Sequence, residues 1–96
     1  MVEQIIKNGE GTILDVRTKG EFQGGHVAGS INIPVNELMH RIDEVKSLKS
    51  PLVLCCASGG RSAMATQLLK QKGITCHDAG PWTNVNYLQS QTVNSL

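Results

Sequence analysis

The 96-residue chain is predicted to be an α/β protein, in which a small central, mainly parallel β-sheet is flanked by helices on both faces. Short apolar runs that suit buried strands alternate with segments of helical periodicity, and this alternation favours a parallel sheet. The few aromatic residues (Phe22, Trp82 and Tyr87) imply an aliphatic core with closely spaced layers. A chain of this length is expected to form one domain over residues 1–96.

The first third of the chain contains one helix and two extended segments. Residues 2–8 place their apolar side chains on one helical face. Residues 12–16 are largely apolar apart from Asp15, which indicates a strand buried on both faces. A glycine-rich bend over residues 24–30 then leads to a short extended segment at 31–34.

A longer helix is predicted from Val35 or Glu37 to Leu48, with Asn36 as its N-cap. The apolar stripe of this helix consists of Leu38, Met39, Ile42 and Val45.

The second half of the chain repeats the alternation. Residues 51–55 form an apolar strand, and residues 62–72 form a helix that Gly73 ends. Residues 74–78 alternate as a further strand. The last helix has apolar residues at helical spacing, namely Trp82, Val85 and Leu88. The polar residues 89–96 are expected to fray.

A thiol and an anion-binding loop meet between the strand at 51–55 and the helix at 62–72. Backbone N–H groups of a tight loop and the positive end of the following helix converge on one point. Cys56, where the strand gives way to the loop, is predicted to lie there, with a pKa below the ordinary value of about 8.5. The binding residues of this loop are Ala57, Ser58, Gly59, Gly60, Arg61 and Ser62.

The glycines and the arginine of this loop have separate predicted roles. Gly59 and Gly60 let the backbone curl without Cβ clashes, at positive φ. Arg61 supplies a fixed positive charge whose planar fork suits a tetrahedral oxyanion.

The other two cysteines, Cys55 and Cys76, are predicted to be packed in the core. Adjacent strand residues point to opposite faces, so Cys76 and His77 are not expected to form a catalytic pair. Three cysteines, two of them adjacent, make a poor disulfide framework and fit a reducing compartment, so we expect a cytoplasmic location. The sequence has no Cys-x-x-Cys pair of the kind that marks zinc sites, so no metal is expected.

Three residues are candidates for the edge of the site. Asp15 and Arg17 follow the first strand at the end where α/β proteins place ligands. They suit either a solvated turn or charges near the loop, and we favour a structural role, with Arg17 paired to Glu21 at i,i+4 spacing. His26 could be a general base, but a hydrogen-bonded packing histidine is favoured, since a Cys56 thiolate needs no base.

Charge and hydropathy exclude two classes of partner. The net charge is +1, and the sequence contains no run of basic residues of the kind that would indicate nucleic-acid binding. No stretch approaches the ~20 apolar residues of a membrane span, and the first residues lack the pattern of a secretory signal.

Four stretches in order along the chain form a recognisable set: residues 14–17 with 21–22, residues 25–34, the loop at 56–62, and residues 79–82. Together they resemble the single-domain rhodanese family of sulfurtransferases. Ala28 stands where the family often has proline, and Pro81 departs from the terminal Gly-Gly-Trp element. The family's usual opening strand, ahead of the first helix, is expected to be either missing or truncated in this sequence.

The resemblance implies ping-pong sulfur transfer without a cofactor. Cys56 would take sulfur from thiosulfate or another sulfane-sulfur donor, hold it as a persulfide on the loop amides, and pass it to cyanide, a thiol or a sulfur-relay protein. Arg61 would help bind the sulfonate end of the donor. Many thiosulfate-using relatives have a basic residue after the cysteine, and Ala57 in that place suggests that thiosulfate is a poor donor.

Two alternatives remain. Counted from Cys55, the loop has the Cys-x5-Arg spacing of tyrosine phosphatases, which would indicate phosphatase or arsenate-reductase chemistry. The six-residue loop counted from Cys56, and Leu54 where those enzymes often have histidine, disfavour this reading. A persulfide carrier or binding module with little turnover is the second alternative.

Overall fold

The computed structural model describes residues 2–91, which contain four strands and five α-helices. The strands are β1 (Thr12–Asp15), β2 (Ile31–Asn32), β3 (Leu52–Cys56) and β4 (Cys76–Pro81). The helices are α1 (Val2–Lys7), α2 (Lys19–Gln23), α3 (Ile42–Lys46), α4 (Gly60–Gln71) and α5 (Trp82–Ser90). Of the tail predicted to fray, residues 89 and 90 belong to α5, and residues 92–96 lie outside the described residues. None of these helices is long and apolar enough to cross a bilayer.

The sheet has the order β2-β1-β3-β4, and every strand pair is parallel. The predicted α/β class is therefore confirmed. Parallel strands have their carboxyl ends at one edge of a sheet, where open α/β folds place their ligand sites. Asp15, Cys56 and Asp78 all lie at this edge, at or near the ends of three neighbouring strands.

The central strand β3 separates two apolar layers, because its five buried residues alternate in direction. Leu52, Leu54 and Cys56 belong to the core cluster that includes side chains of α3 and α4. Val53 and Cys55 belong to the opposite cluster, which includes side chains of α1 and α5. The two adjacent cysteines therefore lie on different faces of the sheet, and Cys56 lies on the face that α4 covers.

Helix α4 begins at Gly60, two residues earlier than predicted, and ends at Gln71, one residue before the predicted end. Gly73 has φ +78°, and the N–H of Ile74 reaches back to the carbonyl of Leu69 at 3.1 Å. This left-handed ending satisfies carbonyls that the helix leaves free.

The helix predicted from residue 35 or 37 to residue 48 is wrong as a continuous element. The chain forms a 3-10 turn at Val35–Glu37, and α3 begins only at Ile42. Asn36 is not an N-cap, because Pro34 has that position and no side chain caps the turn. Leu38 and Val45 are both buried, so the packing of these two side chains outweighs the helical propensity between them.

Met39 also departs from the prediction, since 38% of it is exposed and it does not fill the core. The break in the helix turns it outward while Leu38 stays fully buried.

Candidate active site

The site is built around Cys56, the last residue of β3. Its Sγ atom lies inside the turn that joins β3 to α4. The backbone N–H of Gly59 donates to Sγ at 3.0 Å, and that of Ser62 donates at 3.4 Å. The side chain of Cys56 is fully buried, so the loop amides take the place of water around the sulfur.

These hydrogen bonds set the ionisation of Cys56. Burial by itself raises the pKa of the thiol, because a buried thiolate loses hydration. Hydrogen bonds from the Ser62 hydroxyl and from the backbone N–H groups of Ser62, Gly59 and Arg61 outweigh that effect, so the pKa of Cys56 is lowered. The positive end of α4 acts in the same direction. The direction of this shift agrees with the prediction from the sequence.

The two loop glycines have different roles. Gly59 has φ +108°, a left-handed conformation that favours glycine. A Cβ atom there would meet Gly80 Cα at an ordinary 3.7 Å, so the constraint is backbone conformation rather than space. Gly60 is the first residue of α4, and a Cβ atom there would meet nothing within 4 Å. Positive φ is therefore needed at Gly59 and is not found at Gly60.

The Ser62 hydroxyl joins the sulfur to a carboxylate that the sequence analysis missed. Ser62 Oγ lies 3.5 Å from Cys56 Sγ and donates to Asp78 Oδ1 at 2.7 Å. The backbone N–H of Gly80 donates to the same oxygen at 3.0 Å. Because Ser62 has one hydroxyl hydrogen, Cys56 Sγ, Asp78 Oδ1 and the carbonyl of Gly59, which lies 3.1 Å from Ser62 Oγ, compete for it. The rule that drew attention to Asp15, a carboxylate where a parallel strand ends, would also have found Asp78.

Arg61 lies beside the loop, but its guanidinium group is bonded to Glu21. Arg61 Nη1 and Nη2 donate to the two Glu21 oxygens at 2.7 and 3.0 Å. This bidentate bond is the main reason that the pKa of Glu21 is lowered to about 2. The predicted pairing of Arg17 with Glu21 is wrong, since Glu21 bonds a residue forty positions along the chain.

Arg17 instead pairs with Asp15, and both side chains are almost wholly buried. Arg17 Nη2 donates to Asp15 Oδ2 at 2.7 Å and to the carbonyl of Gly25 at 2.7 Å. Its guanidinium carbon lies 4.7 Å from the centre of the Trp82 ring, within the range of a cation–π contact. Arg17 thus ties the end of β1, the glycine-rich bend and the start of α5 together.

His26 lies in the bend and bonds to the helix before it. Its Nδ1 atom is 2.7 Å from the carbonyl of Phe22, so this nitrogen carries the hydrogen, and the two rings stack with centroids 3.7 Å apart. The expected hydrogen bond is present, although the residue is exposed rather than part of the core.

Cys55 and Cys76 are free and buried, as predicted. Burial, and then the nearby Asp15 charge, raise the pKa of Cys55 to about 12, so this thiol stays protonated at neutral pH. Burial likewise raises the pKa of Cys76, whose Sγ atom lies 3.5 Å from the carbonyl of Thr66. Within residues 2–91, no group of three or more His, Cys, Asp or Glu side chains could hold a metal ion.

The fold and the site together define a small parallel α/β domain with a cysteine whose sulfur accepts hydrogen bonds from the N–H groups of the following loop. The family model of the Rhodanese-like domain matches residues 1–89, and the chain belongs to that family.

Relatives and solved structures agree with this assignment. The uncharacterized protein YqhL of Bacillus subtilis is 41% identical over 63 residues, which cover 66% of this chain and 49% of YqhL. The thiosulfate sulfurtransferase PspE of Escherichia coli is 36% identical over 63 residues, covering 65% of this chain and 61% of PspE. The human single-domain sulfurtransferase TSTD1 has a TM-score of 0.69 at 26% identity, covering 95% of this chain and 92% of TSTD1. The chain thus spans about half the length of YqhL.

Proposed function

We propose that the chain is a sulfurtransferase that moves sulfane sulfur through a persulfide on Cys56. The observation that carries the proposal is the convergence of the Gly59 and Ser62 N–H groups on Cys56 Sγ, 3.0 and 3.4 Å away, together with the lowered pKa of that thiol. A thiolate held in this way is a nucleophile that needs no histidine base.

The first half-reaction loads the sulfur. The Cys56 thiolate attacks the outer sulfur of thiosulfate or of a persulfide donor, and a new S–S bond forms. The bond from that sulfur to the sulfonate or thiol breaks, and sulfite or a thiolate leaves with the electron pair. No external oxidant, metal or cofactor is required for the balance.

The second half-reaction unloads the sulfur. A cyanide ion or an acceptor thiolate attacks the outer sulfur of the persulfide, and Cys56 recovers its electron pair as a thiolate. Between the two steps the persulfide is anionic, and the loop amides stabilise it as an oxyanion hole stabilises a tetrahedral intermediate. Ala57 and Ser58 are small and exposed, so no bulky side chain of theirs blocks the added sulfur.

The partners that we propose follow from this chemistry. The donor is thiosulfate or a persulfide, the acceptor is cyanide in an assay and a thiol in a cell, and a sulfur-relay protein is a further partner. PspE, a relative named as a thiosulfate sulfurtransferase, supports the donor class. The three free cysteines support a reducing, cytoplasmic setting.

Intact mass spectrometry tests the proposal with a matched pair of variants. The natural chain, Cys56→Ser and Cys55→Ser are each incubated with thiosulfate and, separately, with glutathione persulfide. We expect a gain of one sulfur atom on the natural chain and on Cys55→Ser, no gain on Cys56→Ser, and reversal by cyanide. Failure of both donors to load the natural chain, or loading that persists in Cys56→Ser, would overturn the proposal. Turnover of aryl phosphate that depends on Cys55 would favour the phosphatase alternative.

A further inference from the structure

We propose that Glu21 sets donor specificity by holding the Arg61 guanidinium in an ion pair, so that small dianionic donors are disfavoured against thiol-bound persulfides. This inference rests on the proposed sulfur transfer at Cys56. It differs from the expectation that Arg61 binds the donor's sulfonate, because the Arg61 guanidinium is already bonded to the Glu21 carboxylate.

The geometry of the pair supports direct competition. Both oxygens of Glu21 accept from Arg61, at 2.7 and 3.0 Å, in the two-bond arrangement that a sulfonate would also use. The backbone N–H of Arg61 is among the groups that lower the pKa of Cys56, so this side chain starts at the loop itself. A dianion that binds Arg61 through the same two-bond arrangement on Nη1 and Nη2 must therefore open the ion pair first.

Glu21 is fixed by its own helix. It is the third residue of a capping box in which its Oε1 accepts from the N–H of Thr18 at 2.9 Å, while the hydroxyl of Thr18 accepts from the N–H of Glu21 at 3.2 Å. The carboxylate is thus held in place beside Arg61 by α2. With its pKa lowered to about 2, it keeps its charge at every pH at which a thiolate would react.

The other charges near the sulfur do not restore a positive site. The buried Arg17 is neutralised by Asp15. Asp78 contributes a negative charge next to Ser62, and its hydrogen bonds within the described structure come from neutral donors. Arg17 and Arg61 are thus each paired with a carboxylate, and the charge of Asp78 is not balanced by either arginine. A doubly charged donor meets repulsion here, while a persulfide whose reactive sulfur is on a thiol does not depend on Arg61.

The test is Glu21→Gln, because a glutamine oxygen keeps the capping box while the charge is lost. The matched control is Glu44→Gln, which removes an equal charge from an exposed ion pair with Arg41. Steady-state kinetics are measured with thiosulfate and with mercaptoethanol persulfide, a donor with a neutral head group.

For Glu21→Gln we expect the KM for thiosulfate to fall about 1.5- to 5-fold with little change in kcat, which is the range for releasing an ion pair whose side chains are 34% and 37% exposed. The KM for the persulfide should stay the same, and Glu44→Gln should change neither donor. An unchanged KM for thiosulfate, or an equal change for both donors, would overturn the inference.

A binding measurement separates this inference from the proposed function. Sulfate does not transfer sulfur, and its affinity can be measured from the amide NMR shifts of the loop in the natural chain, Glu21→Gln, Arg61→Gln and the double variant. We expect Glu21→Gln to bind sulfate several-fold more tightly, and we expect Arg61→Gln to abolish that gain. Tighter sulfate binding with no sulfur loading by any donor would reject the sulfurtransferase and keep the Glu21–Arg61 competition. Normal loading with unchanged sulfate affinity would reject the competition alone.

Discussion

Replacing Asp15 with asparagine should destabilise the whole domain, because it removes one charge from a buried ion pair. The side chain of Asp15 is fully buried, and that of Arg17 is 5% exposed. Arg17 donates to Asp15 from Nε at 2.9 Å and from Nη2 at 2.7 Å. In Asp15→Asn the guanidinium stays buried against Trp82 with no opposite charge beside it.

The size of the loss follows from that burial. Leaving one member of a buried ion pair without its partner costs about 3–5 kcal/mol. A domain of this length has a total stability of roughly 5–14 kcal/mol, so the loss is a large share of it. Replacing Asp15 and Arg17 together with apolar residues should cost less than the single change, since no unpaired charge then remains.

Urea unfolding followed by the fluorescence of Trp82, the only tryptophan, measures these free energies. Glu44→Gln is the control, because it breaks an ion pair that is largely exposed and should therefore change stability far less. A loss below about 1 kcal/mol for Asp15→Asn would refute the view that the pair clamps β1, the glycine-rich bend and α5 together.

Two further predictions concern the loop. Gly59→Ala should lower the free energy of unfolding by about 1–2 kcal/mol, because alanine resists the left-handed φ, and it should slow sulfur loading. Gly60→Ala should be neutral in both measurements, since that position is helical and open. The rate of sulfur loading should rise with pH as Cys56 ionises, with a midpoint below the ordinary thiol value of about 8.5, because the pKa is lowered. Cys55→Ser should leave this pH profile unchanged, since the Cys55 thiol is protonated up to about pH 12, and a midpoint at or above 8.5 would contradict the loop's stabilisation of the thiolate.

The loop around Cys56 could be predicted from the sequence because its geometry is local. A strand, a short loop of small residues and a helix are contiguous, so the backbone itself brings the N–H groups to Cys56. The same reasoning separated Cys56 from Cys55, because alternation along a strand needs no knowledge of distant residues. The structure agrees, with the two thiols on opposite faces of β3 and their pKa values moved in opposite directions.

The prediction of a continuous helix from residue 35 or 37 to residue 48 was wrong because its geometry depends on contacts that are not local. Periodicity correctly indicated that Leu38 and Val45 face the core, but it could not show how far the segment must bend for both to be buried. Capping was assigned to Asn36 by residue type, whereas the fixed φ of Pro34 makes it the residue before the 3-10 turn.

The partners of the ion pairs could not be predicted from spacing along the sequence. A spacing of four residues suggested that Arg17 would bond Glu21, and such a pair on an exposed helix has little energy at stake. Burial reverses the choice, because a guanidinium group as deeply buried as that of Arg17 needs a carboxylate that is buried with it, and Asp15 at the end of β1 is that carboxylate. Glu21 is then left for Arg61, which the turn into α4 brings to the same edge of the sheet. The stability of the bend and the charge of the site are thus decided together, since pairing Arg17 with Glu21 would have left Arg61 free for an anion.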